Sequence, residues 1–166
     1  FGEVVAALAD HKAIDGVVIP TLPALASRLE AAVADWPVPV SVVAARGARR
    51  ALYGRAVVAL SVAGTATLEL ALARLPMVVS YVMDSHQARV FDKIGRPVVS
   101  LPNIILGRPQ VTELVQSQPD AQAMVTSLLN LLDNKKARQD QIAAFGELAD
   151  LMDAGTAEAP RQDPAD

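Results

Sequence analysis

The 166 residues carry 15 Lys and Arg against 18 Asp and Glu, a formal net charge of −3. That balance provides no basic stripe to displace counterions and argues against a general nucleic-acid binder. Hydrophobic residues make up 52% of the chain and cysteine is absent, so one domain with a sheet buried on two sides is within reach while disulfide and thiolate chemistry are excluded.

From Phe1 the pattern is amphipathic, with Val4, Val5, Leu8 and Ala9 on the apolar side of a helix. A chain that opens inside a helix and without Met reads as a piece of a longer protein. Residues 16–20, Gly-Val-Val-Ile-Pro, predict a strand, residues 22–35 a helix, and residues 38–43 a second strand entered through Pro37 and Pro39. Arg46 to Arg55 predicts a short helix or a loop. A strand over 56–62 and a helix over 65–75 follow, and the continuous apolar run 77–82 has the character of a strand buried on both faces. Next come a helix over 85–94 closed by Gly95, a strand over 97–101, and two helices near 120–133 and 134–152. The tail from Asp153, rich in Ala, Pro, Asp and Gly, predicts disorder. Strands alternating with helices predict an α/β fold of βα units on a parallel sheet, occupying residues 1–152. No apolar run approaches the roughly 18 residues of a membrane span, and no signal peptide is evident, so a cytoplasmic location is expected.

The turn Ala63-Gly64-Thr65 lies where the strand over 56–62 gives way to a helix. The first amides of a helix lack intrahelical partners and carry partial positive charge, and a Gly there lets a phosphate approach closely. Thr65 adds a hydroxyl, and Glu69, four residues on, shares its flank, while Leu68, Ala71, Leu72 and Leu75 are expected to form the buried stripe. A carboxylate in that position can accept two hydrogen bonds from a ribose diol. The plainer alternative is a helix cap followed by a favourable first-turn acid. The segment after the strand expected at 97–101 gathers Asn103, Arg108, Glu113 and Gln116. Amides there suit sugar hydroxyls and an Arg suits phosphate, and loops at the carboxyl ends of parallel strands are where such folds bind ligands. Alternatively, Asn103 ends a strand, Arg108 follows a turn Gly, and Glu113 and Gln116 sit exposed on a short helix.

Other features carry less. Arg46, Arg49, Arg50 and Arg55 can attract phosphate or an anionic membrane surface, but a solvated helix face explains them as well. His11 and His86 stand alone, so no metal site is expected. Trp36 before Pro37 reads as a packing residue. The glycine fingerprint of dinucleotide folds and the Gly-Lys-Ser/Thr phosphate loop are both absent.

The stretches GTATLELALARLPMVVSY at 64–81 and VSLPNIILGRPQVTELVQ at 99–116, at their separation in the chain, resemble the C-terminal half of the lipid-A-disaccharide synthase family. The resemblance implies a Rossmann-like, helix-covered parallel sheet, the donor-binding domain of a two-domain (GT-B type) glycosyltransferase. It implies that Gly64, Thr65, Thr67 and Glu69 bind UDP and that Asn103, Arg108, Glu113 and Gln116 line the donor and interdomain cleft. The reaction implied is inverting transfer of 2,3-diacylglucosamine from UDP to 2,3-diacylglucosamine 1-phosphate, without metal or cofactor. The general base would come from an N-terminal domain, so no catalytic residue is assigned in this chain. The resemblance also implies contact with the inner-membrane surface and leaves room for a homodimer. Two positions depart from the family pattern: Ala63 stands where relatives carry Ser, and Val82 where they carry a basic residue. A degenerate, non-catalytic homologue is therefore one alternative, and another UDP-sugar transferase or epimerase of the same architecture is a second, against which the Ser-Leu-Pro-Asn segment at 100–103 speaks.

Overall fold

The structure, a computed structural model, describes residues 1–44 and 49–154. Helix α1 (Gly2–Asp10) opens the chain, and strand β1 (Val17–Pro20) follows. Pro23, with its preset φ, starts a single 3-10 turn (Pro23–Leu25) that runs into α2 (Ala26–Val33). Then come β2 (Val40–Val43), α3 (Arg49–Tyr53), β3 (Ala59–Val62), α4 (Thr65–Leu72), β4 (Met77–Val82) and α5 (Ser85–Lys93). The chain closes with α6 (Leu101–Leu106), β5 (Thr112–Gln116), α7 (Ala121–Asp133) and α8 (Lys135–Ala154). The segment expected to be disordered lies, from residue 155 on, outside the described residues, as do positions 45–48 of the arginine-bearing stretch.

All strand pairs are parallel. β1 pairs with β2, Val17 opposite Val40, and a separate sheet has the order β3-β4-β5, with Ala59 opposite Met77 and Val78 opposite Thr112. β4 is buried on both faces because its alternate residues serve two cores. Met77 and Val79 pack with Leu70 and Ala71 of α4, Leu106 of α6, and Phe145 and Leu148 of α8. Val78 packs with Val4 and Leu8 of α1 and with Met124, Val125, Leu128 and Leu131 of α7. Helices thus cover both faces of the three-stranded sheet.

Local chemistry sets most boundaries. Asp84 and Gln87 form a reciprocal capping box at the start of α5, Asp84 accepting from the amides of His86 and Gln87. Asn134 leaves the helical region at the end of α7 while its side chain accepts from Ala137 N in the first turn of α8. Arg138 then donates to the carbonyls of Leu131 and Leu132, satisfying the end of α7. α4 is shorter than the expected 65–75: Arg74 takes a left-handed φ of 56° and Leu75 N–H donates to Leu70 O.

One expected element is different in kind. Residues 97–101 do not form a strand; the last strand is 112–116, and Leu101 already begins α6. The reason lies in the amides of Val99 and Ser100, which a ladder would have used. They donate instead to the carboxylate of Glu113, at 2.9 and 2.8 Å. Pro102, lacking an N–H, suits the first turn of a helix.

A second feature comes from tertiary packing. Register with β5 begins only at Val78, leaving Met77 without a strand on that side. The buried amide of Gln141 on α8 takes the place of one, its Oε1 accepting from Met77 N at 2.9 Å and its Nε2 donating to Met77 O at 3.2 Å.

Candidate functional site

β3 delivers the chain to Gly64, whose backbone lies at φ 154° and ψ −171°, a region essentially reserved for glycine. A Cβ at Gly64 would meet nothing within 4 Å among the described residues, so backbone geometry rather than crowding requires Gly here. Gly64 is also the N-cap of α4 and offers no side chain to the first-turn amides. Thr65, Ala66 and Glu69 are exposed on α4, and the Tyr53 hydroxyl of α3 stands 3.5 Å from Glu69 Oε2.

The buried stripe of α4 is Thr67, Leu70 and Ala71, continuing to Leu75 just beyond the helix; Leu72, expected inside, is 44% exposed. Thr65 and Glu69 keep their shared outer flank, but Thr67 turns inward. It is fully buried, and both its hydroxyl and its amide donate to Gly64 O, at 2.7 and 3.1 Å. Thr67 therefore holds the turn from behind and offers no exposed donor to a ligand.

The second group of expected site residues separates. Asn103 is fully buried in α6. Its Nδ2 donates to Val111 O at 2.8 Å and to Glu113 Oε1 at 2.7 Å, and its Oδ1 accepts from the amides of Gln110 and Val111, both at 2.8 Å. Two donor hydrogens and two acceptor lone pairs are thereby engaged. Glu113 on β5 accepts from Val99 N, Ser100 N, Ser100 Oγ at 2.6 Å and Asn103 Nδ2. These two side chains form an internal clasp joining β5, α6 and the loop that follows Gly107. Arg108 pairs with Glu147 on α8, both side chains about half exposed. Gln116 ends β5, and its amide oxygen is enclosed without a protein partner. It lines a concavity of about 630 Å³ together with Met83, Ala88, Asp92, Arg96 and Ser117.

Because β3, β4 and β5 are parallel, the Gly64 turn and Gln116 share the carboxyl edge of the sheet, the edge at which open α/β sheets bind ligands. Gly64, Thr65, Glu69 and Gln116 are thus brought to one edge; Thr67, Asn103 and Glu113 stand behind it, and Arg108 is tied to α8. Among the described residues no group of His, Asp and Glu is placed to hold a metal ion. Sequence reasoning missed Ser100, Tyr53 and Gln141. Only Ser100 carried a signal, as a hydroxyl residue preceding the proline of a helix start.

The sequence model of the family described as lipid-A-disaccharide synthetase matches residues 4–162. The chain belongs to that family. It is similar to the lipid-A-disaccharide synthase of Rhodopseudomonas palustris, 34% identical over 93% of this chain and 40% of that protein. The enzyme of Rhodospirillum centenum is 33% identical over 93% of this chain and 39% of its own length. That of Chromobacterium violaceum reaches 41% identity over a shorter stretch, 60% of this chain and 28% of that protein. The chain spans about two fifths of the length of the first of these relatives.

Proposed function

We propose that this protein is the donor-binding part of a lipid-A-disaccharide synthase, and that the α4 turn seats the nucleotide of UDP-2,3-diacylglucosamine. In this reading the diphosphate rests on the amides of Thr65 and Ala66, where Gly64 leaves room for it, and Glu69 accepts from the ribose hydroxyls. The main-chain amides and the helix dipole then neutralise the leaving diphosphate as the glycosidic bond breaks, without a metal ion. The acceptor is 2,3-diacylglucosamine 1-phosphate: one of its hydroxyl oxygens attacks the anomeric carbon of the donor with inversion as the bond to UDP breaks, and the base that takes the hydroxyl proton belongs to another part of the enzyme. The reaction is cytoplasmic, at the face of the inner membrane. The observation that carries this reading is the side-chain-free start of α4 at the carboxyl edge of the sheet, in a chain whose family membership covers the same residues.

Calorimetric titration with UDP tests it. Glu69→Gln keeps the shape and removes the charge, so affinity is expected to fall by about 1.5 to 3 kcal/mol while the unfolding midpoint stays unchanged, since Glu69 is exposed. Equal UDP affinity in both proteins removes Glu69 from the site and leaves it as an ordinary surface carboxylate.

A further inference from the structure

Glu69 is a long, exposed side chain, and its own helix does little to aim it. Three and four positions away along the chain stand Thr65, Ala66, Leu72 and Ala73, so the flank it shares offers one hydroxyl and no cation. The side chain that reaches it from another element is Tyr53 of α3, whose hydroxyl donates toward Glu69 Oε2 at 3.5 Å. The Tyr53 ring is half-buried and packs against the core cluster that includes Leu70 and Ala71 of α4. The core that holds α4 in place therefore also holds the phenol. A tyrosine fixed by its ring has only two torsions to set, so it loses little freedom in holding a partner. At 3.5 Å the contact is longer than an ordinary O–H···O bond, and it directs the carboxylate more than it binds it.

We propose that Tyr53 is a positioning residue of the nucleotide site: its hydroxyl holds the Glu69 carboxylate in the direction of the ribose diol, and through Glu69 it makes the site prefer a ribonucleotide to its 2′-deoxy counterpart. The chemistry permits both contacts at once. A carboxylate offers about four lone-pair sites on its two oxygens, so one phenol hydrogen at Oε2 leaves acceptors for the 2′- and 3′-hydroxyls. Without the phenol, an exposed glutamate must be ordered at each binding event, and affinity falls by the rotamer freedom lost. The preference follows because the 2′-hydroxyl is one of the two donors an aimed carboxylate meets, and a carboxylate that is not aimed gains less from it. The inference rests on the reading of Glu69 as the ribose acceptor.

UDP and 2′-deoxy-UDP are titrated calorimetrically into the wild-type protein, Tyr53→Phe, Glu69→Gln and the double variant. Phenylalanine keeps the packed ring and removes only the hydroxyl, so the unfolding midpoint should not move. Tyr53→Phe is expected to weaken UDP binding about three- to tenfold and 2′-deoxy-UDP binding less. It should add nothing in the Glu69→Gln background, because the hydroxyl acts through the carboxylate. A purely structural tyrosine would instead lower the midpoint and weaken both nucleotides alike in both backgrounds, and that result overturns the proposal. So does unchanged UDP affinity in Tyr53→Phe; if Glu69→Gln is weakened in the same series, the nucleotide reading stands and only Tyr53 leaves the site. Equal UDP affinity in the wild type and Glu69→Gln removes the carboxylate from the site, and Tyr53 with it.

Discussion

Replacing Glu113 by Ala should destabilise the fold without acting directly on nucleotide binding. The carboxylate accepts four hydrogen bonds, from Val99 N, Ser100 N, Ser100 Oγ and Asn103 Nδ2, between 2.6 and 2.9 Å. Hydrogen bonds to a charged group contribute about 1.5 to 3 kcal/mol each, and a stranded buried donor costs about 1 to 3 kcal/mol. Bonds converging on one group are not additive, and Glu113 is half-buried, so water can replace part of what is lost. A net cost of roughly 3 kcal/mol is the reasonable expectation. In a protein of this size that corresponds to a fall in Tm of about 6 to 12 °C. Glu113→Gln should cost less, about 1 to 2 kcal/mol, because an amide can keep its oxygen on the three donors that meet Oε1, although its NH2 then faces the Val99 N–H, which loses its acceptor and must shift away. Urea unfolding followed by far-UV circular dichroism and by the fluorescence of Trp36 measures both variants, and titration with UDP at a temperature where the Gln variant is folded separates support from contact. Wild-type stability in Glu113→Ala would refute the clasp. A large loss of UDP affinity in a fully folded Glu113→Gln protein would return Glu113 to the ligand-contacting group.

Three further outcomes follow from the geometry. Gly64→Ala forces a Cβ into a backbone state essentially reserved for glycine, so stability should fall by about 1 to 3 kcal/mol and UDP affinity with it; a neutral result in both measurements means that the turn relaxes freely. Gln141→Leu strands Met77 N–H and C=O beneath α8, and chemical denaturation should show a loss of about 2 to 4 kcal/mol. Arg108→Ala removes an ion pair whose partners are 45% and 57% exposed; a change below about 1 kcal/mol is expected, with UDP affinity preserved, and a loss of affinity would place Arg108 at the ligand after all.

Local sequence determined what depends on periodicity and on single-residue backbone preference. The apolar run 77–82 is the central strand, the helices near 85–94, 120–133 and 134–152 are where their patterns put them, and Gly64, Thr65 and Glu69 lie together on an open flank because an i, i+4 relation and a glycine turn are properties of a few neighbouring residues. What the periodicity left open was which polar groups are consumed internally. Val99 and Ser100 look like strand residues, yet their amides go to a carboxylate some 13 residues further on, and Asn103, an apt sugar ligand by chemistry, spends its side chain on the backbone of residues 110 and 111 and on Glu113. Thr67 faces inward because the apolar stripe of α4 is rotated by the packing of Leu70 and Ala71 on β4 and α8. Gln141 stands in for a strand because β5 starts one residue late against β4. These outcomes depend on which groups the tertiary fold brings together, because a buried polar group must be satisfied by whatever lies within about 3 Å.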